Sequence, residues 1–142
     1  MPTKLSHENA TLKICVDAAD SVVRGRIYGL RLRQPLEFRD MGSLLLQVER
    51  LMDSQNFPQA FQRIRSFQKK GPEYPPSILP EDGMTQAQVD EAQGGLSTFL
   101  LQVVSRQNAT WQGRVTWPGE EPVEFSSDLE LLDLVESRLL AP

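Results

Sequence analysis

Between Thr110 and Trp117 the side chains alternate without a break. Trp111, Gly113, Val115 and Trp117 fall on one side, and Thr110, Gln112, Arg114 and Thr116 on the other. A period of two is that of a strand with one buried and one wet face. Both tryptophans of the chain lie on the apolar side, so this strand is expected to supply much of the core. An earlier stretch, Ser21 to Gly29, has the same pattern. Val23, Gly25 and Ile27 point inward there, and Arg24, Arg26 and Tyr28 outward.

Each of these strands has similar company. Leu12, Ile14 and Val16 alternate ahead of the first, and Phe99, Leu101 and Val103 ahead of the second. Leu36 and Phe38 follow the one, Val123 and Phe125 the other. A helical stripe then appears twice. Leu44, Leu45, Val48, Leu51 and Met52 follow Asp40, a good N-cap. Leu131, Leu132, Val135 and Leu139 follow Ser127 and Glu130, spaced as a capping box, on a helix from Asp128 to about Leu140. Thr85 and Gln88 open a shorter helix that Gly94-Gly95 stops. Trp117-Pro118-Gly119-Glu120 suits a type II turn. Residues 1–10 read as a loose tail, and residues 53–67, broken by Pro58, as a loop leading into a short helix or an edge strand.

The recurrence predicts an internal duplication. Copies aligned at an offset of 88 match Leu12 with Leu100, Val16 with Val104, Gly25 with Gly113 and Arg26 with Arg114. Past the first hairpin the offset is 87, and Pro35, Glu37, Phe38, Leu44, Leu45, Val48 and Glu49 find identical partners from Pro122 to Glu136. The expected fold is α+β, with duplicated βββα units forming an antiparallel sheet and two helices on one face. One domain is expected over 1–142: a first repeat with an extension at 12–68, a Pro/Gly-rich connector at 69–97, and a second repeat at 98–140.

R-Q-N-A-T-W-Q-G-R-V-T-W at 106–117, with V-E-F-S-S-D-L-E-L-L-D-L-V-E-S-R-L-L behind it, resembles the carboxy-terminal half of a family of short uncharacterised bacterial proteins of the Clostridia type. N-F-P-Q-A through R-S-F at 56–67 resembles that family's second hallmark. The likeness covers about residues 12–67 and 97–140, with Ser126-Ser127 where an Arg-Ser pair is common and a longer connector. It implies the fold boundaries and a bacterial cytoplasmic setting, and it implies no activity.

Composition narrows the function. No apolar run approaches the length of a membrane span, and the polar start of the chain lacks the apolar segment of a secretory signal. The single cysteine, Cys15, fits a reducing compartment. A cytoplasmic protein with no membrane attachment is expected. The net charge of −4 is unevenly spread. Residues 1–71 hold 12 Lys and Arg against 7 Asp and Glu, a net +5, and residues 72–142 hold 3 against 12, a net −9. An acidic whole with no dense basic cluster argues against nucleic acid as a partner.

No catalytic residues, metal ligands or cofactors are expected. The one histidine, His7, lies in the amino-terminal tail, and Cys15 sits in a strand far from any activating base. The N-x-T-x-x-G spacing at 108–113 is shared with cyclic-dinucleotide-binding barrels of the PilZ type, which also need a second arginine and a six-stranded barrel. What remains is a polar, contiguous surface: Arg106, Gln107, Asn108, Gln112 and Arg114, rich in planar hydrogen-bonding groups. The function expected from it is a non-catalytic protein-interaction or regulatory module whose partner is another protein or a second copy of the chain. The alternative is a sensor of a small ligand or nucleotide, with a pocket between the repeats lined by Trp111 and Trp117.

Overall fold

The computed structural model describes residues 3–61 and 77–140. In chain order the elements are β1 (Leu12–Ala18), β2 (Arg24–Tyr28), β3 (Leu36–Phe38), α1 (Met41–Gln55), β4 (Ala60–Phe61), α2 (Gln86–Glu91), β5 (Ser97–Gln107), β6 (Gln112–Thr116), β7 (Val123–Phe125) and α3 (Asp128–Leu139). Six strands make an antiparallel sheet in the order β3-β2-β1-β5-β6-β7. The short β4 pairs in parallel with the far end of β5, Ala60 against Arg106. The architecture is α+β.

Alternation along the strands sets the core. Leu12, Ile14, Val16, Ile27, Phe38, Phe99, Leu101, Val115 and Phe125 are all buried. They share one apolar cluster with Leu44 and Val48 of α1 and Leu131 and Val135 of α3. Burying a side chain of this size contributes about 1.5–3 kcal/mol. Leu45 and Leu132, expected to be fully inside, pack against the cluster only in part. Asp40 caps α1 by accepting the Ser43 N–H at 2.6 Å. Ser127 caps α3 by accepting from Glu130 N–H at 3.1 Å. The Glu130 carboxylate reaches back to the Ser126 N–H at 2.7 Å, one residue short of a full capping box.

Gly25 and Gly113 hold matching places. Gly25 lies between Val16 and Phe38, and Gly113 between Val103 and Phe125. A Cβ on Gly25 would sit 1.9 Å from the Cys15 carbonyl oxygen, and one on Gly113 2.0 Å from that of Gln102. Each glycine permits an approach that no other residue could make, and beside each the partner strand bulges, between Val16 and Ala18 and between Val103 and Ser105.

These pairings correct the expected alignment. Ile14 faces Ile27 as Leu101 faces Val115, so β1 and β5 correspond at an offset of 87 and not 88. Val16 thus corresponds to Val103 instead of Val104, and Leu12 to Phe99 instead of Leu100. The physical reason is face: a slip of one residue turns a strand over. Leu12 is 2% exposed and Leu100 is 41% exposed. Where β1 meets β5, Lys13 stands opposite Leu100, its own counterpart at 87. Leu12 against Leu101 and Ile14 against Phe99 flank it, so the junction has the same pairings read from either end.

The amino-terminal segment is docked and not loose. Leu5 and Ala10 are buried, Leu5 N–H donates to the Ser77 carbonyl at 2.8 Å, and Ser6 and Asn9 exchange side-chain-to-backbone bonds. Two apolar residues on an otherwise polar segment were too weak a signal to show this. Thr85 and Gln88 form the full capping box of α2. Of residues 53–67, the first three end α1 and Ala60–Phe61 form β4; the part beyond Phe61 lies outside the described residues.

Candidate functional site

The β5–β6 hairpin holds all five residues expected to make contacts. Asn108 and Ala109, at φ 57° and 58°, turn the chain at its tip, and Thr110 N–H closes onto the Gln107 carbonyl at 3.1 Å. Gln107, Asn108 and Ala109 are exposed. Gln112 is committed inside the hairpin. Its carboxamide oxygen accepts from Ser105 Oγ and Gln107 N–H, both at 2.8 Å, and its nitrogen donates to the carbonyls of Gln107 and Thr110 at 3.1 and 3.2 Å. With both ends engaged, Gln112 stiffens the tip and offers little to a partner.

Arg106 is not part of the outer surface. It is 3% exposed, and it donates from Nε to the Pro58 carbonyl at 2.7 Å. Its Nη1 donates to Asp53 Oδ1 at 2.6 Å and to Glu49 Oε1 at 3.3 Å. The Trp111 indole N–H donates to the other oxygen of Glu49. The cause is the β5 bulge. Val103 pairs with Gly113 and Ser105 with Gln112, leaving Val104 as an extra residue. Beyond it the alternation is reversed, so Arg106 faces inward with Val103.

A second buried arginine escaped the sequence reading. Arg31, in the connection after β2, donates to Gln55 Oε1 at 2.7 Å and to the Phe57 carbonyl at 2.5 Å. Gln55 returns a bond to the Arg31 carbonyl at 2.9 Å. Burial, with the like charge of Arg106 adding to it, pushes the guanidinium down to about 10. Arg31 and Arg106 thereby hold the consecutive carbonyls of Phe57 and Pro58, the middle of the N-F-P-Q-A hallmark. An arginine in a polar connection gives no pattern that distinguishes it from a solvated one.

Arg114 is exposed, between Gln102 and Glu124 in register, with no ion pair to a described residue. Arg26 stands opposite Glu37 in register, yet it pairs with Asp17 instead, at 2.9 and 3.0 Å, and also reaches the Gln93 carbonyl. The Arg26 guanidinium, helped by the Gly95 N–H, holds the Asp17 carboxyl below its ordinary range. Cys15 is buried in the sheet, and desolvation pushes its thiol up, with Arg26 and Lys13 partly offsetting this. That is the reverse of what a nucleophilic thiol needs. His7 is exposed, its ring 5.5 Å from that of Phe57.

A cavity of about 580 Å³ opens at the β1–β5 junction, lined by Lys13, Leu100, Thr116 and Trp117 and edged by Asn9 and Gln86. Lys13 Nζ is bound to the Val89 and Asp90 carbonyls at the end of α2. Trp117 lies under Arg138, 4.3 Å from guanidinium to ring centroid, and its buried indole N–H has no acceptor among the described residues. Trp111, expected to share such a pocket, does not line this one; its indole is turned to Glu49. Among the described residues no cluster of His, Cys, Asp or Glu is arranged to hold a metal ion, and no helix is long and apolar enough to cross a membrane. No family model matches the chain, and neither a curated protein nor a solved structure matches it.

Proposed function

We propose that the chain is a non-catalytic interaction or regulatory module of a bacterial, cytoplasmic protein, of the Clostridia-type family its two hallmarks resemble. It acts on a protein partner or a second copy of itself, without nucleic acid or membrane. The observation that carries this reading is the β5–β6 hairpin. Gln112 ties its base from within, Arg106 anchors β5 to α1, and Gln107, Asn108 and Arg114 are left exposed. A tip stiffened in this way loses little entropy on docking, which is the main saving a preorganised contact makes. The contact surface is therefore Gln107, Asn108 and Arg114, with Arg106 and Gln112 positioning them.

The internal duplication belongs to the same proposal. Matching glycines, matching bulges and a junction that pairs Lys13 with its counterpart Leu100 support it. Both helices then cover one face of the sheet, in keeping with the single cluster that Val48 and Val135 share.

The test is the triple variant Gln107→Ala, Asn108→Gly, Arg114→Ser. Glycine at 108 keeps the positive φ. Partners recovered by affinity purification should be lost with the melting temperature unchanged. Full recovery of the same partners would remove the hairpin from the reading.

The cavity at the junction favours a second reading, a small-ligand or nucleotide sensor. Trp117 in its wall is a ready reporter. Titration with a metabolite and nucleotide panel should then change the tryptophan emission, and the change should vanish in Leu100→Arg.

A further inference from the structure

The two ends of the sheet have the same construction and opposite charge. At the β3 end a groove of about 640 Å³ runs between the strand and α1; Arg24, Arg39, Arg50 and Leu46 line it, together with Arg26, which is paired with Asp17, and one carboxylate, Glu37. Arg24, Arg39 and Arg50 are exposed and have no ion pair to a described residue. Leu46 is 50% exposed between them. At the β7 end the corresponding positions are Gln112, Ser126, Ser137 and Asp133. Glu124, Glu130 and Asp133 are exposed, Arg114 stands opposite Glu124 in register, and Leu129 stands out at 76% exposure. One end offers arginines that pair with no described residue beside an exposed leucine, and the other offers carboxylates beside an exposed leucine.

We infer that the β3–α1 groove of one copy receives the β7–α3 end of another, so that the chain associates head to tail. The inference rests on the interaction-module reading and names the partner. Charge complementarity selects this occupant: arginines meet Glu124, Glu130 and Asp133, and Leu46 meets Leu129. Contact is through side chains and not through added sheet hydrogen bonds. β3 has three residues, and the Gln47 side chain already donates to the Glu37 carbonyl on its outer edge. The two surfaces are different patches of one molecule, so the contact is heterologous and each copy keeps one of each free. Such contacts build rings or open chains, not closed pairs.

The experiment is sedimentation of the full chain and of two edge variants. The basic-edge variant is Arg39→Glu with Arg50→Glu, and the acidic-edge variant is Glu124→Lys with Asp133→Lys. The wild type should show a mass above the 16.0 kDa of one chain. That mass should rise with protein concentration and fall back as salt goes from about 50 to about 500 mM. Each variant alone should stay at one chain mass. Mixed one to one, they should associate again, because the intact groove of one variant meets the intact acidic end of the other and the two altered edges now meet as Glu against Lys, while either variant mixed with wild type should cap its assemblies and lower their mass. Should a charge reversal unfold the chain, as melting curves would show, Arg39→Gln with Arg50→Gln, or Glu124→Gln with Asp133→Asn, replaces it and should need a severalfold higher concentration than wild type to reach the same mass.

Wild type that stays a single chain at low salt overturns the head-to-tail contact. So do edge variants that assemble as wild type does. A fluorescent oligonucleotide bound by wild type and not by the basic-edge variant, without self-association, also overturns it and gives the groove to nucleic acid. Partner capture that depends on Gln107 and Asn108 would survive the first two of these results, so the two readings can fail separately.

Discussion

The two halves of the sheet follow one path and are finished differently. Where the first half has Leu12, Val23 and Gly29, the second has Phe99, Trp111 and Trp117 at the corresponding positions. Arg106 corresponds to Ala19. The consequence is a lock that works in one direction. Trp111 and Arg106 reach from the second half to Glu49 and Asp53 on α1 of the first. Glu136, the counterpart of Glu49 on α3, meets no such pair, because Val23 and Ala19 have neither the length nor a donor. The shared frame comes from strand pairing and two glycines, and the halves are joined by a few long polar side chains from one of them.

The largest expected effect tests that asymmetry. Trp111→Ala should cost about 3–5 kcal/mol in chemical denaturation, and Val23→Ala about 1–2 kcal/mol at ~0.8 per carbon group removed. Equal losses would break the comparison. The shared frame is tested next. Gly25→Ala and Gly113→Ala each force a Cβ against backbone, and each should cost about 1–3 kcal/mol or more, with similar losses in the two halves.

Arginines sharpen it further. Arg106→Ala takes their donor from the Pro58 carbonyl and the Asp53 carboxylate and leaves Glu49 only the Trp111 indole, and it should cost about 1–3 kcal/mol. Arg114→Ala should stay within about 0.5 kcal/mol. Matching melting temperatures for the two variants would mean that Arg106 is not an anchor.

The smallest effect is in acid. Asp17 in the first half and Glu120 in the second are both held below their ordinary values, by Arg26 and by Arg138. A lowered folded value means that the stabilisation is complete above the unfolded values near ~4 and is lost as pH falls through the folded ones. Both groups are well exposed, so the loss is small. Asp17→Asn and Glu120→Gln should each flatten the acid limb of the stability curve a little; a steeper limb in either would contradict the pairing.

Most of the frame was legible in the residues. Strict alternation at 110–117, the stripes from Leu44 and Leu131, and the caps at Asp40 and Thr85 are local signals, and local hydrogen bonds satisfy them. The candidate site was legible only in part. Arg114 is exposed as its strand phase implied, and Gln107 and Asn108 are exposed as part of a polar turn. Arg106 is not, because a bulge adds one residue and no composition marks it. Gln112 was placed correctly on the polar face, but its bonds depend on the hairpin's closed shape. Arg31 and the docking of Leu5 depend on contacts across the chain, which leave no periodic trace. The offset of 88 between the first strands arose from matching identical leucines and valines, when the faces of those strands allow only an odd offset and the pairings make it 87.

The junction at Lys13 and Leu100 has a consequence for the protein in pieces. Cut between the halves, the chain would yield two fragments, each with a bare inner strand that is the natural template for the other. Co-expressed fragments should find each other and rebuild the sheet. A first-half fragment alone would carry a seven-residue edge ready to seat a second β1 in the place of β5, and it should be the stickier for it.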